Sequence, residues 1–349
     1  MKINEYRALL ERAFKDGFRT LGVGAPGVGK TQAAMEAAKA LGMDFIGLCS
    51  ALEDPSTIRG YPSRGENGEA THCLFDGIAR AFKAKGPTVL FFDDLGMSSE
   101  STMRSIMRLI QFGEIDNRKL PDHVVIGAAT NDIGHGAGVY GMIEPLKSRF
   151  HAIVQVETCI DDVVGYGLAH NWPADMLAYL RNAPEALSDW KPCKSMKVDG
   201  ACPRGWDYAA RWVNSNILDP EVLAGCVGQG RATQYLAFRE MINELPDVDE
   251  CLLSPESAPI PDNPSAMYLV TMALASKMTA ANFGQARKYL GRMKPMFQAL
   301  GIRDAFKGEE AKRTRKMLPS GYRPLSTSPD FTAWACSPEG KLVTGASAS

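Results

Sequence analysis

The segment that most constrains the fold is Gly24-Ala25-Pro26-Gly27-Val28-Gly29-Lys30-Thr31, which fits the pattern G-x-x-x-x-G-K-[ST]. Glycines allow the backbone to wrap around a phosphate so that successive N–H groups point inward. A helix expected to begin at Lys30 directs its positive dipole end at the same place. In such a loop the lysine reaches the outer phosphates and the hydroxyl of Thr31 can ligate Mg²⁺. The segment therefore predicts a phosphate-binding loop.

The residues on either side of this loop favour the same interpretation. Residues 20–23 form a short apolar run typical of a strand, and residues 31–41 are rich in alanine and favour a helix. Gly42 follows, at a position where a glycine commonly ends a helix. The alternative is that the motif is a glycine-rich turn that matches the pattern by chance. Such a turn would not require a strand before it and a helix after it, so this alternative is much weaker.

A second chemical landmark is the run 88–94, in which apolar residues lead into Asp93 and Asp94. A continuous apolar run of this length predicts a central parallel strand. Ligands in open α/β sheets bind at the carboxyl ends of the strands. Asp93 is therefore placed to hold Mg²⁺. The alternative, a buried strand that merely ends in solvated acids, is weakened by the phosphate-binding loop upstream.

Five apolar runs predict five strands, over residues 20–23, 44–49, 88–93, 124–130 and 152–156. Helical patterns lie between most of them, and strands that alternate with helices predict an α/β fold with a parallel sheet covered on both faces. Residues 50–72 are rich in Pro, Gly and charge, so we expect an insertion outside the core.

From residue 157 onward the pattern is mainly helical. We expect an α/β nucleotide-binding domain over 1–156, an α-helical domain over 157–245, and a region over 246–349 that contains a linker, a helical pair and a basic, flexible tail. Residues 303–323 carry seven Lys or Arg against three Asp or Glu. Such runs are usually solvated, and contact with an anionic partner is the minority interpretation.

Composition limits the classes of function. The formal net charge is -1 and the sequence pI is about 6.5, so no global positive field attracts nucleic acid or an anionic membrane. No apolar run approaches the roughly 20 residues of a membrane span, and residues 1–5 lack the order of a signal peptide, so we expect a cytoplasmic protein. The eight cysteines form no C-x-x-C pair and the five histidines show no metal spacing, which predicts reduced thiols and no transition-metal site.

With these landmarks in order, the chain resembles the AAA+ ATPases, and within them the MoxR-like branch, over residues 15–240. The resemblance rests on the phosphate-binding loop, Asp93-Asp94, the strand end at Asn131, the segment 145–150 and the helix start at Pro203-Arg204. It implies a P-loop AAA+ core, an α-helical lid and a C-terminal helical extension. It also implies ATP or ADP with Mg²⁺, a homo-oligomeric ring that is most often a hexamer, and a protein client. Proteins with a von Willebrand factor A domain are frequent partners in that branch.

The resemblance also implies roles for single residues. Asn131 would orient the attacking water, Arg149 would be an arginine finger in the neighbouring subunit's site, and Arg204 would contact the γ-phosphate from the lid. Asp94 stands where the family usually has a glutamate that positions the water, and its side chain is one methylene shorter. Because misplacement by about an ångström can cost on the order of a hundredfold, hydrolysis is expected to be slow, to use a shifted water or to need a partner.

Simpler interpretations stand beside these roles. Asn131 could be a strand-end turn residue, and Arg149 could be a surface ion-pair residue. Arg204 could be an exposed first-turn residue, although a cation is unfavourable there unless an anion lies nearby. For the whole protein, a nucleic-acid motor or loader is disfavoured by the near-neutral charge, and a P-loop kinase by the set of Asn131, Arg149 and Arg204. A nucleotide-gated assembly protein that hydrolyses ATP slowly remains open because of Asp94.

Overall fold

The structure is a computed structural model that describes residues 1–65, 68–115, 118–132, 141–189, 198–240, 246–314, 317–338 and 340–341. The chain divides into two compact units, Met1–Thr158 and Cys159–Ser349. The end of the predicted helical domain, 241–245, and the end of the predicted tail, 342–349, lie outside the described residues. No helix in the described ranges has the length and apolar character needed to cross a membrane.

The first unit contains the predicted parallel sheet. Its strands are β1 (Thr20–Gly24), β2 (Asp44–Cys49), β3 (Tyr61–Arg64), β4 (Ala70–Cys73), β5 (Thr88–Asp93), β6 (Glu114–Ile115), β7 (Arg118–Lys119), β8 (Val124–Asn131) and β9 (Ala152–Val156). Five of these form one sheet in the order β2-β5-β8-β1-β9, and every pairing in it is parallel. The register pairs Gly24 with Asn131 and Cys49 with Asp93, so the carboxyl ends of the strands meet at one edge.

Helices cover both faces of this sheet. They are α1 (Ile3–Lys15), α2 (Lys30–Ala40), α3 (Pro55–Arg59), α4 (Asp76–Phe82), α5 (Glu100–Phe112) and α6 (Glu144–Lys147). On β5, Val89 and Phe91 pack in the buried cluster that contains α1 and α2, whereas Leu90 and Phe92 pack in the cluster that contains α4 and α5. A strand buried on both faces needs apolar residues at every position, which explains the continuous run. The predicted fold class is confirmed.

The insertion is more regular than the sequence suggested. Residues 50–72 contain a single 3₁₀ turn, helix α3 and most of an antiparallel hairpin formed by β3 and β4. The hairpin was missed because its side chains are mostly exposed and show no apolar alternation. Ile58 is completely buried, so one apolar side chain anchors an otherwise exposed segment to the core.

The second unit is helical. Its helices are α7 (Ile160–Ala169), α8 (Ala174–Asn182), α9 (Pro203–Asn214), α10 (Pro220–Val227), α11 (Gln229–Glu240), α12 (Val248–Leu253), α13 (Pro264–Lys277), α14 (Phe283–Gly291), α15 (Pro295–Thr314) and α16 (Pro329–Ala335). Within the region expected to contain a helical pair, residues 265–279 and 283–300 have the helical pattern, but the second stretch is divided: α14 ends at Gly291 and Pro295 begins the longer helix α15. Proline suits a helix start because the first N–H groups have no partner inside the helix.

A buried ion network joins three of these helices. Arg181 is the central cation: its guanidinium donates to both carboxylate oxygens of Asp304 and to Asp161. Burial raises the pKa of Asp304 even though Arg181 opposes the shift. Burial alone would also raise the pKa of Asp161, but its hydrogen bond and charge interaction with Arg181 hold that pKa below its ordinary value. Arg303 and Lys307, from the basic segment, pair with Asp161 as well.

Candidate nucleotide-binding site

The phosphate-binding loop lies at the carboxyl edge of the sheet, between β1 and α2. Gly29 precedes α2 with φ of 99°, a left-handed conformation that favours glycine. Gly24 ends β1 beside β9, where an added Cβ would stand 2.3 Å from the carbonyl oxygen of Val156. Two of the motif's glycines are thus required by backbone geometry, one by its φ and one by close packing.

Lys30 is the cation of this loop, and it is 6% exposed. Its Nζ donates to the carbonyl oxygens of Gly24 (3.0 Å) and Ala25 (2.9 Å) and to Oδ1 of Asn131 (3.0 Å). These contacts hold the ammonium group in place beside the loop. An ammonium group at the start of a helix, next to a loop of backbone N–H groups, is suited to bind phosphate.

Thr31 and Asp93 form the pair predicted to hold a metal ion. The Thr31 hydroxyl donates to Oδ2 of Asp93 at 2.6 Å, which brings two hard oxygen donors together beside the loop. Oδ1 of Asp93 accepts the backbone N–H of Asp94 at 3.0 Å, which fixes the carboxylate plane. Mg²⁺ prefers one or two protein oxygens completed by water and substrate phosphate. These two residues fit that requirement.

Asp94 begins a tight turn directly after β5. Its φ of 51° is left-handed, and a single 3₁₀ turn, Leu95–Met97, follows it. The Thr130 hydroxyl accepts the N–H of Gly96 at 2.9 Å, which ties the turn to β8. The turn therefore holds the second aspartate at a fixed place on the carboxyl edge of the sheet.

Asn131 connects the two charged parts of the site. Its Oδ1 accepts from Lys30, and its Nδ2 donates to Oδ1 of Asp94 at 3.3 Å. One amide thus touches both the phosphate-loop cation and the carboxylate predicted to orient water. A residue that only ended a strand would not need this pair of contacts.

Arg149 lies outside this group, and Arg204 belongs to the second unit. Arg149 stands just before β9, at the amino edge of the sheet and away from the phosphate-binding loop. Its Nε donates to Oε1 of Gln111 at 3.0 Å, and its Nη1 contacts the carbonyl oxygen of Pro145. Arg204 is exposed in the first turn of α9, in the second unit. Its role as a γ-phosphate contact stays a prediction.

Sequence reasoning missed several residues that shape the site. Tyr6 is completely buried, and the structure shows no hydrogen-bond partner for its hydroxyl among the described residues. An added Cβ on Gly22 would stand 2.3 Å from that hydroxyl oxygen, so the glycine of β1 makes room for the ring. Burial, with the nearby charge of Asp93, raises the pKa of Tyr6. The amphipathic pattern of residues 3–16 predicts a helix with Tyr6 on its apolar face, packed beside the first strand, but it does not predict the close approach of the Tyr6 hydroxyl to Gly22.

The strand order, the phosphate-binding loop and the Thr31–Asp93 pair define a P-loop domain of the α/β class. Residues 20–158 match the family described as ATPase family associated with various cellular activities (AAA). Over these residues the chain is therefore similar to the AAA family of ATPase domains. A comparison with curated protein sequences finds no significant match.

Solved structures with a similar fold include NtrX from Brucella abortus, at 15% identity, TM-score 0.36, and coverage of 89% of this chain and 67% of that chain. NtrX in complex with ATP matches at 16% identity, TM-score 0.35, with coverage of 87% and 67%. The RuvB Holliday junction branch migration motor of Thermotoga maritima matches at 14% identity, TM-score 0.35, with coverage of 83% and 86%. Similarities this remote carry no argument about function.

Proposed function

We propose that this protein is a Mg²⁺-dependent ATPase whose active site is completed in a homo-oligomeric ring. The observation that carries the proposal is the connected set Thr31–Asp93 and Lys30–Asn131–Asp94 at one edge of the sheet. Phosphoryl transfer depends on positioning and charge neutralisation more than on covalent chemistry. Bound Mg²⁺ would supply part of that neutralisation at the phosphate oxygens.

Within this site each residue has a separate task. The backbone N–H groups of the loop 24–31, all but Pro26, and the ammonium group of Lys30 bind the phosphates, and Asp94 with Asn131 orients a water molecule. Arg149 stands at the amino edge of its own sheet, away from its own phosphate-binding loop. We infer that Arg149 enters the neighbouring subunit's site, and that Arg204 approaches from a lid formed by residues 157–245. Hydrolysis would then depend on assembly.

The output we propose is remodelling or activation of a protein client, as in MoxR-like proteins, with a von Willebrand factor A domain protein as one candidate partner. The β3–β4 hairpin supports a client contact because Tyr61 is 60% exposed and lies against the Phe75 ring, with centroids 5.6 Å apart. Thr102 donates to the carbonyl oxygen of Glu53 at 2.9 Å, so the base of the insertion touches helix α5, which follows the Asp94 turn. A movement of the Asp94 turn could therefore reach the insertion through helix α5.

The basic segment gives little support to a nucleic-acid motor. Arg303 and Lys307 are paired with Asp161, so part of their charge is offset within the protein. Two of the seven cations in residues 303–323 are accounted for in this way. DNA-stimulated, salt-sensitive ATPase activity would nevertheless identify such a motor directly.

A slowly hydrolysing assembly protein is the second candidate, and one observation favours it. Asp94 is shorter than the usual glutamate, and the Asn131 amide holds it at 3.3 Å. This contact competes with binding of a water molecule by the same carboxylate. Tight ATP binding with almost no phosphate release, even in assembled protein with its client, would favour this function over a motor.

The proposal is tested by measuring Mg–ATP binding by calorimetry and phosphate release at steady state. Lys30→Ala is expected to weaken ATP binding by about tenfold to a hundredfold, because a charge-assisted hydrogen bond is worth roughly 1.5–3 kcal/mol. Lys39→Ala, on the exposed face of the same helix, is the matched control and should change neither quantity. Unchanged affinity in the Lys30 variant would overturn the nucleotide site.

A further inference from the structure

Gln111, in the last turn of α5, accepts hydrogen bonds from two arginines. Its side-chain Oε1 accepts from Nε of Arg149 at 3.0 Å, and its backbone oxygen accepts from Nη1 of Arg19 at 2.5 Å. The N–H of Arg19 also donates to Nδ1 of His151 at 2.9 Å. Three segments that are distant in sequence therefore converge on one exposed glutamine at the amino edge of the sheet.

The acceptors in this group are neutral. Among the described residues, no carboxylate lies within ion-pair distance of Arg19 or Arg149, and their recorded acceptors are amide, imidazole and carbonyl groups. Arg108, one turn earlier on the same helix, is different because it pairs with Glu114 at 3.1 Å. A carboxylate holds an arginine but also cancels its charge. A glutamine holds the arginine and leaves the charge for another anion.

The two hydrogen bonds that Arg149 donates use only some of the N–H groups of its guanidinium. Nε is used by Gln111 and one hydrogen of Nη1 by the carbonyl of Pro145. A guanidinium has five N–H donors in a rigid plane. The two contacts therefore fix the orientation of the guanidinium plane. The N–H groups of Nη2 make neither contact, and they are suited to phosphate oxygens.

We propose that Gln111 is a positioning residue that fixes the guanidinium plane of Arg149 for the neighbouring subunit's phosphates while leaving its charge uncompensated. This inference rests on the proposed function, in which Arg149 acts in trans. Arg19 holds the backbone of Gln111 in place and adds a second positive charge to the same element. In this arrangement Gln111 acts through Arg149 and does not itself bind the phosphates.

The expected effect is on the rate and not on nucleotide binding. Without Gln111 the Arg149 side chain must order itself during each turnover, and an arginine carries about 2 kcal/mol of rotamer entropy. Since the Pro145 contact remains, we expect Gln111→Ala to lower kcat about tenfold and to leave KM nearly unchanged. Gln111→Glu keeps the size and the hydrogen bond but neutralises Arg149, so kcat should also fall about tenfold.

The decisive experiment mixes subunits. Gln111→Ala subunits retain a working phosphate-binding loop, and Lys30→Ala subunits retain Gln111 and Arg149. When the fraction of Lys30→Ala subunits is raised, the activity per Gln111→Ala subunit should rise toward that of wild-type subunits titrated in the same way. Gln155→Ala, an exposed glutamine on β9, is the control and should retain full activity.

The outcomes distinguish a failure of the Gln111 inference from a failure of the proposed ATPase function. Recovery on mixing supports Gln111 as a residue that acts across the interface. A loss of activity in Gln111→Ala that mixing does not restore shows a structural role within the subunit and overturns the inference. Full activity of Gln111→Glu, when Gln111→Ala has low activity, overturns it in the same way. Unchanged kcat in both variants overturns it too, with the ATPase proposal intact. An inactive wild-type protein with weak ATP binding would instead remove the proposed function itself.

Discussion

Removal of the Asn131 side-chain amide tests whether its hydrogen bond to Asp94 helps that carboxylate to orient the attacking water. Asn131→Ala deletes the acceptor for Lys30 at 3.0 Å and the donor to Asp94 at 3.3 Å. A hydrogen bond to a charged group contributes about 1.5–3 kcal/mol, and the Asp94 bond, at 3.3 Å, is slightly longer than the usual range, so the lower part of that interval applies. Since 1.36 kcal/mol corresponds to tenfold in rate, we expect kcat to fall about tenfold to thirtyfold.

Nucleotide affinity should respond differently in this variant. Lys30 retains the carbonyl oxygens of Gly24 and Ala25 as acceptors, so its ammonium group stays at the loop without Asn131. The affinity for Mg–ATP should therefore change by less than about threefold.

The assay pairs single-turnover hydrolysis with calorimetry. Asn214→Ala is the control because Asn214 is an exposed asparagine whose amide also makes one recorded hydrogen bond, to the carbonyl oxygen of Asn171. A parental kcat in Asn131→Ala would refute the reasoning, since Asp94 would then need no amide to orient it. A large loss of ATP binding would also contradict the separation of binding from turnover.

Further substitutions examine other parts of the molecule. Asp94→Asn should leave Mg–ATP binding intact in calorimetry and stop phosphate release, and a parental rate would show that the water is oriented elsewhere. Tyr61→Ala should spare basal ATPase activity and weaken client capture, whereas Tyr208→Ala, another exposed tyrosine, should change neither; loss of ATP binding in a folded Tyr61 variant would contradict a client role. Arg181→Ala leaves Asp304 buried without its main cation and should destabilise the protein by about 3–5 kcal/mol in denaturant unfolding. That loss should shrink at acidic pH because a protonated Asp304 needs no cation, and a loss independent of pH would show that packing dominates.

The centre of the sheet was predictable because β1, β5 and β8 are buried on both faces. Continuous apolar runs such as 88–93 cannot be placed elsewhere in a water-soluble fold, and the P-loop motif fixes the edge at which they end. The residues 24–31, Asp93, Asp94 and Asn131 were therefore expected near one another. Their hydrogen bonds confirm that proximity, while their roles in turnover stay predictions.

The parts that could not be predicted depend on contacts between distant segments. The β3–β4 hairpin is exposed, so hydrophobic pattern gives no signal for it. Gln111 is one of many polar residues on a helix surface, and only the fold brings Arg149 and Arg19 to its oxygens. Tyr6 shows the same limit, because the helical pattern places it in the core but the contact with Gly22 depends on packing.

The most direct test of a shared active site is complementation between Arg149→Ala and Lys30→Ala subunits. Each variant alone should be nearly inactive, since an arginine finger is worth roughly a thousandfold or more in rate and the lysine binds the phosphates. Mixed rings should regain activity, with a maximum near equal amounts, where about a quarter of interfaces join an intact loop to an intact finger in random assembly. Mixtures that exchange subunits and assemble, yet remain inactive at every ratio, would contradict the account, and so would full activity of Arg149→Ala alone.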